Sequence, residues 1–325
     1  MNLDFHYYTL YFLALRAGFA DADAQTLAYS SQFVDHNIIS YRIDSGDNDY
    51  LIEPTQNYGF WNDSFPTEAY LPFHFFPGEQ RVGSSLRVDG ETNRFNTTPN
   101  GSGVKRLLVD ALKTRNLFRI GIALHTYADS WAHQNFSGRL EAWNRVEKNT
   151  LIPAIGHAQM LSRPDSLAGT WRDPRLRSPD DLVSNLDRVV RAARQIYKYL
   201  ATYNGRGFED LELVEWELTD MIGPSGGETV EHSHDFIIHD SLTAYDRREW
   251  LREALILPDE EIDDSLYRGY AKVLWLRDTL LYRSSLLKKN PVRSRGSFDE
   301  TRLYKWHEAA VSHRNAAKMV LAQIL

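Results

Sequence analysis

The sequence predicts a mainly α-helical protein, a multi-helix bundle carrying one long irregular insert. Three observations carry this expectation. Apolar residues recur at helical spacing, most clearly Leu182, Leu186, Val189, Val190, Ala193, Ile196, Tyr197 and Leu200. The run Leu117, Phe118, Ile120, Ile122, Ala123 and Leu124 is so apolar that it reads as a helix buried at the centre. Between about 37 and 101 the texture changes to Asp, Asn, Gly, Pro and aromatics.

Taken in order, Phe5 to Ala17 reads as a first helix, with Gly18 as its C-cap. Asp21 or Asp23 caps a second helix that runs to about Asp35, so the two form a hairpin. The insert follows, with short strands expected around Leu51 and Val82. Long ordered loops usually serve function, so it is expected to border a site, with Tyr58, Phe60, Trp61 and Phe75 either as pocket walls or as plain core. Helices resume at Val104 to Thr114 and at Asn116 to about Phe136, with a shorter one around Leu140 to Lys148. Residues Ile152 to Pro179 read as loop, and Asp180-Asp181 opens a long amphipathic helix to Tyr203. Further helices are expected at about Leu211 to Met221, Ala244 to Leu255, Asp264 to Leu287 and Glu300 to Leu325. Gly223 to Gly227 is the best subdomain boundary, but the chain reads as one domain over 1–325, with a C-terminal helical part at about 228–325. There Trp275, Leu276, Leu280, Leu281 and Leu286 are expected to close the core rather than form a dimer face.

Composition narrows the function classes. With 325 residues, 42% of them hydrophobic, the chain can bury a full core. The net charge of -7 is spread along the chain, and no basic stripe suggests a nucleic-acid partner. Lys288, Lys289, Arg293 and Arg295 read as a helix C-terminus and its loop, where cations suit the macrodipole. There is no cysteine, so any metal must be held by His, Asp, Glu or backbone groups. That donor set suits zinc in its catalytic form. The N-terminus lacks the basic region of a signal peptide, and Tyr7 to Leu15 is too short to span a bilayer. A cytoplasmic location is expected unless a leader has been removed.

The strongest chemical signal is His125-Thr-Tyr-Ala-Asp129-Ser-Trp-Ala-His133. Four-residue steps put these three side chains on one helical stripe, about 6 Å of rise apart. On an otherwise apolar helix they would be expensive to bury unless coordinated or paired, and a carboxylate between two imidazoles can bridge two ions. A single histidine on such a face is usually a hydrogen-bonded core residue; three ligand types in register point to metal. The hairpin brings His6 near Asp35. Asp4 is either a helix N-cap or a ligand, and His36 reads as a cation at a helix C-terminus. His74, framed by Phe and Pro, is either a rigid ligand or a packed loop residue. His157 and Asp165 lie in a Gly/Pro loop that could complete a site at His133. His232, His234 and His239 alternate along a loop and, if extended, point apart. His307 and His313 read as surface or core residues. No nucleophile elbow, phosphate loop, dinucleotide fingerprint or His-Glu-x-x-His is present.

An early His, an Asp on the next helix, a His-x-x-x-Asp on the central helix and a further His nearby resemble the zinc-dependent phospholipase C and single-strand nuclease superfamily. Asp4 to Tyr8, His125 to Phe136, and Gly156-His157 with Pro164-Asp165 also resemble an uncharacterised bacterial family of the same layout, over about the first 170 residues. The superfamily resemblance implies a phospholipase C/nuclease-like bundle with a trinuclear zinc site. Asp35, His74, His125 and Asp129 would bind one ion, His6 and Asp129 a second, and His133, His157 and Asp165 the third. In the superfamily the N-terminal amino group, usually of a tryptophan, also binds metal. Here Met1 stands first, and Asp4 would stand in. The family's third-site carboxylate lies four residues after the histidine, where this chain has Leu161.

The expected function is metal-dependent hydrolysis, of a small phosphoester or lipid-like substrate, by a hydroxide held at two or three zinc ions. Asp129 and Asp35 are the carboxylates expected to carry the catalytic role. Two other readings compete: a non-catalytic metal-binding helical protein, and a hydrolase of amides or other esters.

Overall fold

The computed structural model describes residues 1–38, 40–46, 48–56, 65–81, 86–147, 150–223, 233–258, 262 and 292–324. It is mainly helical, with 57% helix against 9% strand. Val82, Tyr58, Phe60, Trp61, His232 and the helix expected at Asp264 to Leu287, with its apolar side chains, lie outside the described residues.

The chain opens differently from expectation. Asp4–Thr9 (π1) winds as a π-helix before Leu10–Arg16 (α1) continues as α-helix. The wider turn changes which face each residue presents, and π segments tend to occur at functional positions. The second helix, Asp21–His36 (α2), has Ala20 at its N-cap without a side-chain cap. Asp21 and Asp23 lie in its first turn instead, where negative charge suits the helix dipole.

The insert is less irregular than its composition suggests. Tyr41–Asp44 (β1) and Asp49–Ile52 (β2) form an antiparallel hairpin. A second π-helix, Pro66–His74 (π2), follows. Pro72 within it lacks an N–H, and its carbonyl is taken up from outside: Nε2–H of His313 donates to it at 3.0 Å. Charge likewise ties π2 to the last helix, where Lys318 Nζ meets Glu68 at 2.6 Å.

Ser102–Thr114 (α3) and Leu117–Ala132 (α4) match expectation closely, except that α4 ends at Ala132 with His133 as its C-cap. Helix α4 is the hub, packing on α2, α3, π2 and on two later helices. Its pairing with α2 depends on Gly121, where an added Cβ would lie 2.3 Å from the Leu27 carbonyl oxygen. The helix expected at Leu140 to Lys148 is only a 3-10 turn at Ala142–Asn144. The loop after it contains the strand Thr170–Arg172 (β3), which pairs with Leu182–Ser184 (β4). The long helix therefore begins later than Asp180: Asn185–Tyr203 (α5) is capped by the Ser184 hydroxyl, and Leu182 is spent on the strand.

Leu211–Ile222 (α6) agrees with the pattern. The backbone of Ser233–Asp240 (α7) is helical rather than extended. The helix expected from Ala244 is confined to Glu249–Ala254 (α8). Arg293 lies in the strand Val292–Arg293 (β5), parallel to β1, rather than in a helix-end loop. The final helix is Arg302–Ile324 (α9), and its His307 and His313 are both core residues. No helix among the described residues is long and apolar enough to cross a membrane.

Two predictions follow from this packing. Gly121→Ala should wedge α2 from α4 and destabilise the chain by about 1–3 kcal/mol, read as a lower urea midpoint. An unchanged midpoint would mean that the two helices are free to move apart. Burial, helped by Arg314, pushes His307 down from 6.5 to about 4, and burial with Arg119 pushes His313 well below 6.5. Both rings stay neutral in the fold while the unfolded chain takes up protons near pH 6.5. Stability should therefore be full above that pH and decline as pH falls towards 4, each ring adding a slope of up to about 1.4 kcal/mol per pH unit. Urea unfolding between pH 7 and 5, with a chelator present, checks this.

Candidate metal centre

Five elements converge on one buried cluster. The start of π1 brings His6, the C-terminal turn of α2 brings Asp35, and the last residue of π2 is His74. The second half of α4 brings His125 and Asp129, with His133 at its cap, and the turns after Gly156 bring His157 and Asp165. Three groups result whose donor atoms lie within 4.8 Å of one another: His6, His125 and Asp129; Asp35, His74 and His125; and His133, His157 and Asp165. Three of the contributing helices, α2, π2 and α4, present their C-terminal ends. Their partial negative charge favours a cation there.

Hydrogen bonding fixes which ring nitrogens face inward. Nε2–H of His74 donates to the Thr55 carbonyl at 3.0 Å. Nδ1–H of His133 donates to the His74 carbonyl at 2.8 Å, and Nδ1–H of His157 to the Leu161 carbonyl at 2.9 Å. A carbonyl only accepts, so in each neutral ring the other nitrogen carries a lone pair. Those lone pairs face carboxylates. His74 Nδ1 is 3.1 Å from Asp129 Oδ2, His133 Nε2 is 3.0 Å from Asp165 Oδ1, and His157 Nε2 is 3.3 Å from Asp165 Oδ2. Two acceptors so close repel unless a proton or a metal ion lies between them. Two ligands each about 2.0–2.1 Å from one zinc ion, at a tetrahedral angle, stand about 3.3–3.4 Å apart. The 3.3 Å separation matches that edge, and those of 3.0 and 3.1 Å fall a few tenths of an ångström short of it. Carbonyl partners on the outer nitrogens are also the usual support of metal-bound imidazoles.

His125 is shared by two of the groups, and Asp129 touches members of all three. The Asp129 side chain is 1% exposed, and it also meets His6 Nε2 at 3.0 Å and His125 Nε2 at 3.3 Å. A further partner is the Met1 amino group, which hydrogen-bonds Asp129 Oδ1 and lies 3.4 Å from Asp165 Oδ1. The backbone holds the terminus there, with Asn2 N–H donating to the Asp165 carbonyl at 3.1 Å. Burial alone would raise the Asp129 pKa, but His133, the amine, His125 and His6 hold it well below the carboxylate range. Burial would lower the amine, but Asp129, Asp165 and Asp35 lift it to about 10. Burial pushes Asp35 up and His157 down, and pushes His6 well down with help from His125. Burial opposes protonation of His133, yet Asp129 and Asp165 raise its pKa.

Of the residues singled out in the sequence, His6, Asp35, His74, His125, Asp129, His133, His157 and Asp165 come together. Asp4 does not join any of the three groups; it is buried beside Asn2, whose Nδ2 donates to its Oδ2 at 3.3 Å. Met1 contributes its amine where Asp4 was expected. The resemblance points to an N-terminal amine, and His6 lies close to the first residue. His36 is not a cation at a helix end: burial and Arg247 push it down to about 3, and Tyr245 hydroxyl shares a 2.7 Å hydrogen bond with its Nδ1. Phe75 does line the cluster, stacked on His133 at 4.5 Å. An added Cβ on Gly156 would lie 2.5 Å from the Phe75 ring, so the glycine allows the ring to reach the histidines.

A mainly helical protein with convergent His/Asp groups that could hold a metal ion is the class this fold and site define. The family model that spans residues 1–321 is described as a family of unknown function (DUF6765), and the chain belongs to that family. No curated protein and no solved structure matches the chain.

The buried amine gives a direct test. Extending the chain by Gly-Ser ahead of Met1 must move the charge away from Asp129. Removing one partner of a buried ion pair costs about 3–5 kcal/mol. Denaturant unfolding of metal-free protein should show a loss of that order. A loss below about 1 kcal/mol would mean that the amine is dispensable.

Proposed function

We propose that this chain is a metal-dependent hydrolase, acting on phosphoester bonds with two or three zinc ions. The observation that carries the reading is the set of inward lone pairs facing Asp129 and Asp165 at 3.0 to 3.3 Å, in rings whose other nitrogens are held by carbonyls. Asp35, His74, His125 and Asp129 would hold one ion. His6 and Asp129 would hold a second, joined by the Met1 amine once it gives up its proton, and His133, His157 and Asp165 would hold a third. This ligand order supports a fold of the zinc-dependent phospholipase C and single-strand nuclease type. Divalent ions bound there would supply charge stabilisation for a developing oxyanion and acidify water.

The chain's own residues divide the work. Asp129, buried and shared between two groups, would fix the spacing of two ions. Asp35 and Asp165 are each 24% exposed, whereas Asp129 is 1% exposed, so the cluster opens to solvent at these two carboxylates. An open edge favours a catalytic over a closed structural site. A small phosphoester, or the phosphoester of a lipid-like molecule, would enter there. Phe75 would flank it.

The test is metal content by mass spectrometry on protein purified without added metal, followed by assay on bis-p-nitrophenyl phosphate and on a p-nitroanilide amide. The expected result is two or three zinc ions per chain, at least one lost in Asp129→Ala. Phosphodiester turnover should be abolished by chelator and restored by zinc. No bound metal, and none taken up from added zinc, would overturn the proposal. Turnover of the amide alone would move the chain to another hydrolase class.

A further inference from the structure

Leu161 is an unusual residue for its conformation. Its backbone lies at φ 55, ψ -130, a region that L side chains adopt at a cost of order 1–3 kcal/mol. Packing does not explain the strain, because the Leu161 side chain is 64% exposed. What the conformation does provide is a direction for the carbonyl. The chain turns back at Met160, whose N–H donates to the His157 carbonyl at 2.7 Å, and Leu161 N–H donates to the Ala158 carbonyl at 3.1 Å. The Leu161 carbonyl is thereby aimed at Nδ1–H of His157. With Nδ1 so occupied, the lone pair of Nε2 faces Asp165. The next turn, closed by Asp165 N–H on the Ser162 carbonyl at 3.1 Å, delivers that carboxylate.

We propose that Leu161 is a positioning residue for a cation site formed by His133, His157 and Asp165: its strained backbone sets the His157 tautomer through the main-chain oxygen. This rests on the reading of the cluster as a metal centre. It also accounts for the departure in spacing: position 161 supports the site with its backbone, and the carboxylate comes from Asp165, eight residues after His157.

The experiment compares zinc binding by competition with a chromophoric chelator in the wild type, Leu161→Gly and Leu161→Pro. The tautomer of His157 is read in parallel by long-range proton–nitrogen NMR. Glycine adopts the same backbone without strain, so Leu161→Gly should keep the weakest or last-filled site within twofold and keep the Nδ1–H tautomer. Proline fixes φ near about -65° and turns the carbonyl away, so Leu161→Pro should lose about 10- to 100-fold at one site only, with the tautomer no longer fixed. Retained affinity in Leu161→Pro would overturn the proposal, and so would a tenfold loss in Leu161→Gly. Fewer than three ions bound by the wild type, with His157→Ala leaving that number unchanged, would instead overturn the metal reading of the third group itself.

Discussion

The structure depends on one buried carboxylate. Asp129 sits in the last turn of α4 with its side chain almost wholly out of water, where an isolated charge is prohibitive. It is tolerated because five groups converge on it, three from distant parts of the chain (the Met1 amine, His6 and His74) and two one helical turn away (His125 and His133). His125 and His133 come from α4 itself, His6 from π1, His74 from π2, and the amine from the residue that starts the chain. The demand of one carboxylate for compensation thus fixes where π1 starts, where π2 ends and how α2 lies along α4. Gly121 is the steric counterpart of that demand, since only a residue without a side chain lets α2 come near enough for Asp35 to join.

The two π-helices sit at the same constraint. His6 lies in one and His74 ends the other. A regular α-helix repeats every 3.6 residues, and a π turn shifts the side chains that follow onto another face. Pro72 removes a donor from the second π-helix, and its carbonyl is claimed by α9 through His313. The last helix therefore helps to hold His74 although it contributes no ligand. His74 in turn has two duties: its ring faces Asp129, and its carbonyl orients His133. The groups at the two ends of the cluster are joined by a single residue as well as by the amine between Asp129 and Asp165.

How much of this was legible depends on the range of the interaction. The stripe His125, Asp129 and His133 needs only the helical period and could be read directly. That the start of the chain and the end of α2 lie at one end follows from the geometry of a helical hairpin, although His6 reaches Asp129 and Asp35 reaches His74 and His125. His74 and His157 were legible as residue types in rigid surroundings, but their ring orientations were not. Those depend on the carbonyls of Thr55, His74 and Leu161, which every residue possesses and no pattern marks. Asp4 was misread because acidic residues at a helix start look alike whether they point to a cluster or into the core. The start of α5 was misplaced for a similar reason: Leu182 continues the apolar period, but pairing with β3 takes it out of the helix.

The sequence by itself determined the helical class, the central helix, the donor types and the absence of thiolate chemistry. These depend on composition and on periods within about a dozen residues. Only the tertiary structure decided that Met1 rather than Asp4 reaches Asp129, that two ligand-bearing segments wind as π-helices, and which ring nitrogens face inward. The physical reason is the same in each case. These features are set by compensating buried charge and satisfying buried backbone groups across the fold, and the partners lie from tens to more than two hundred residues apart.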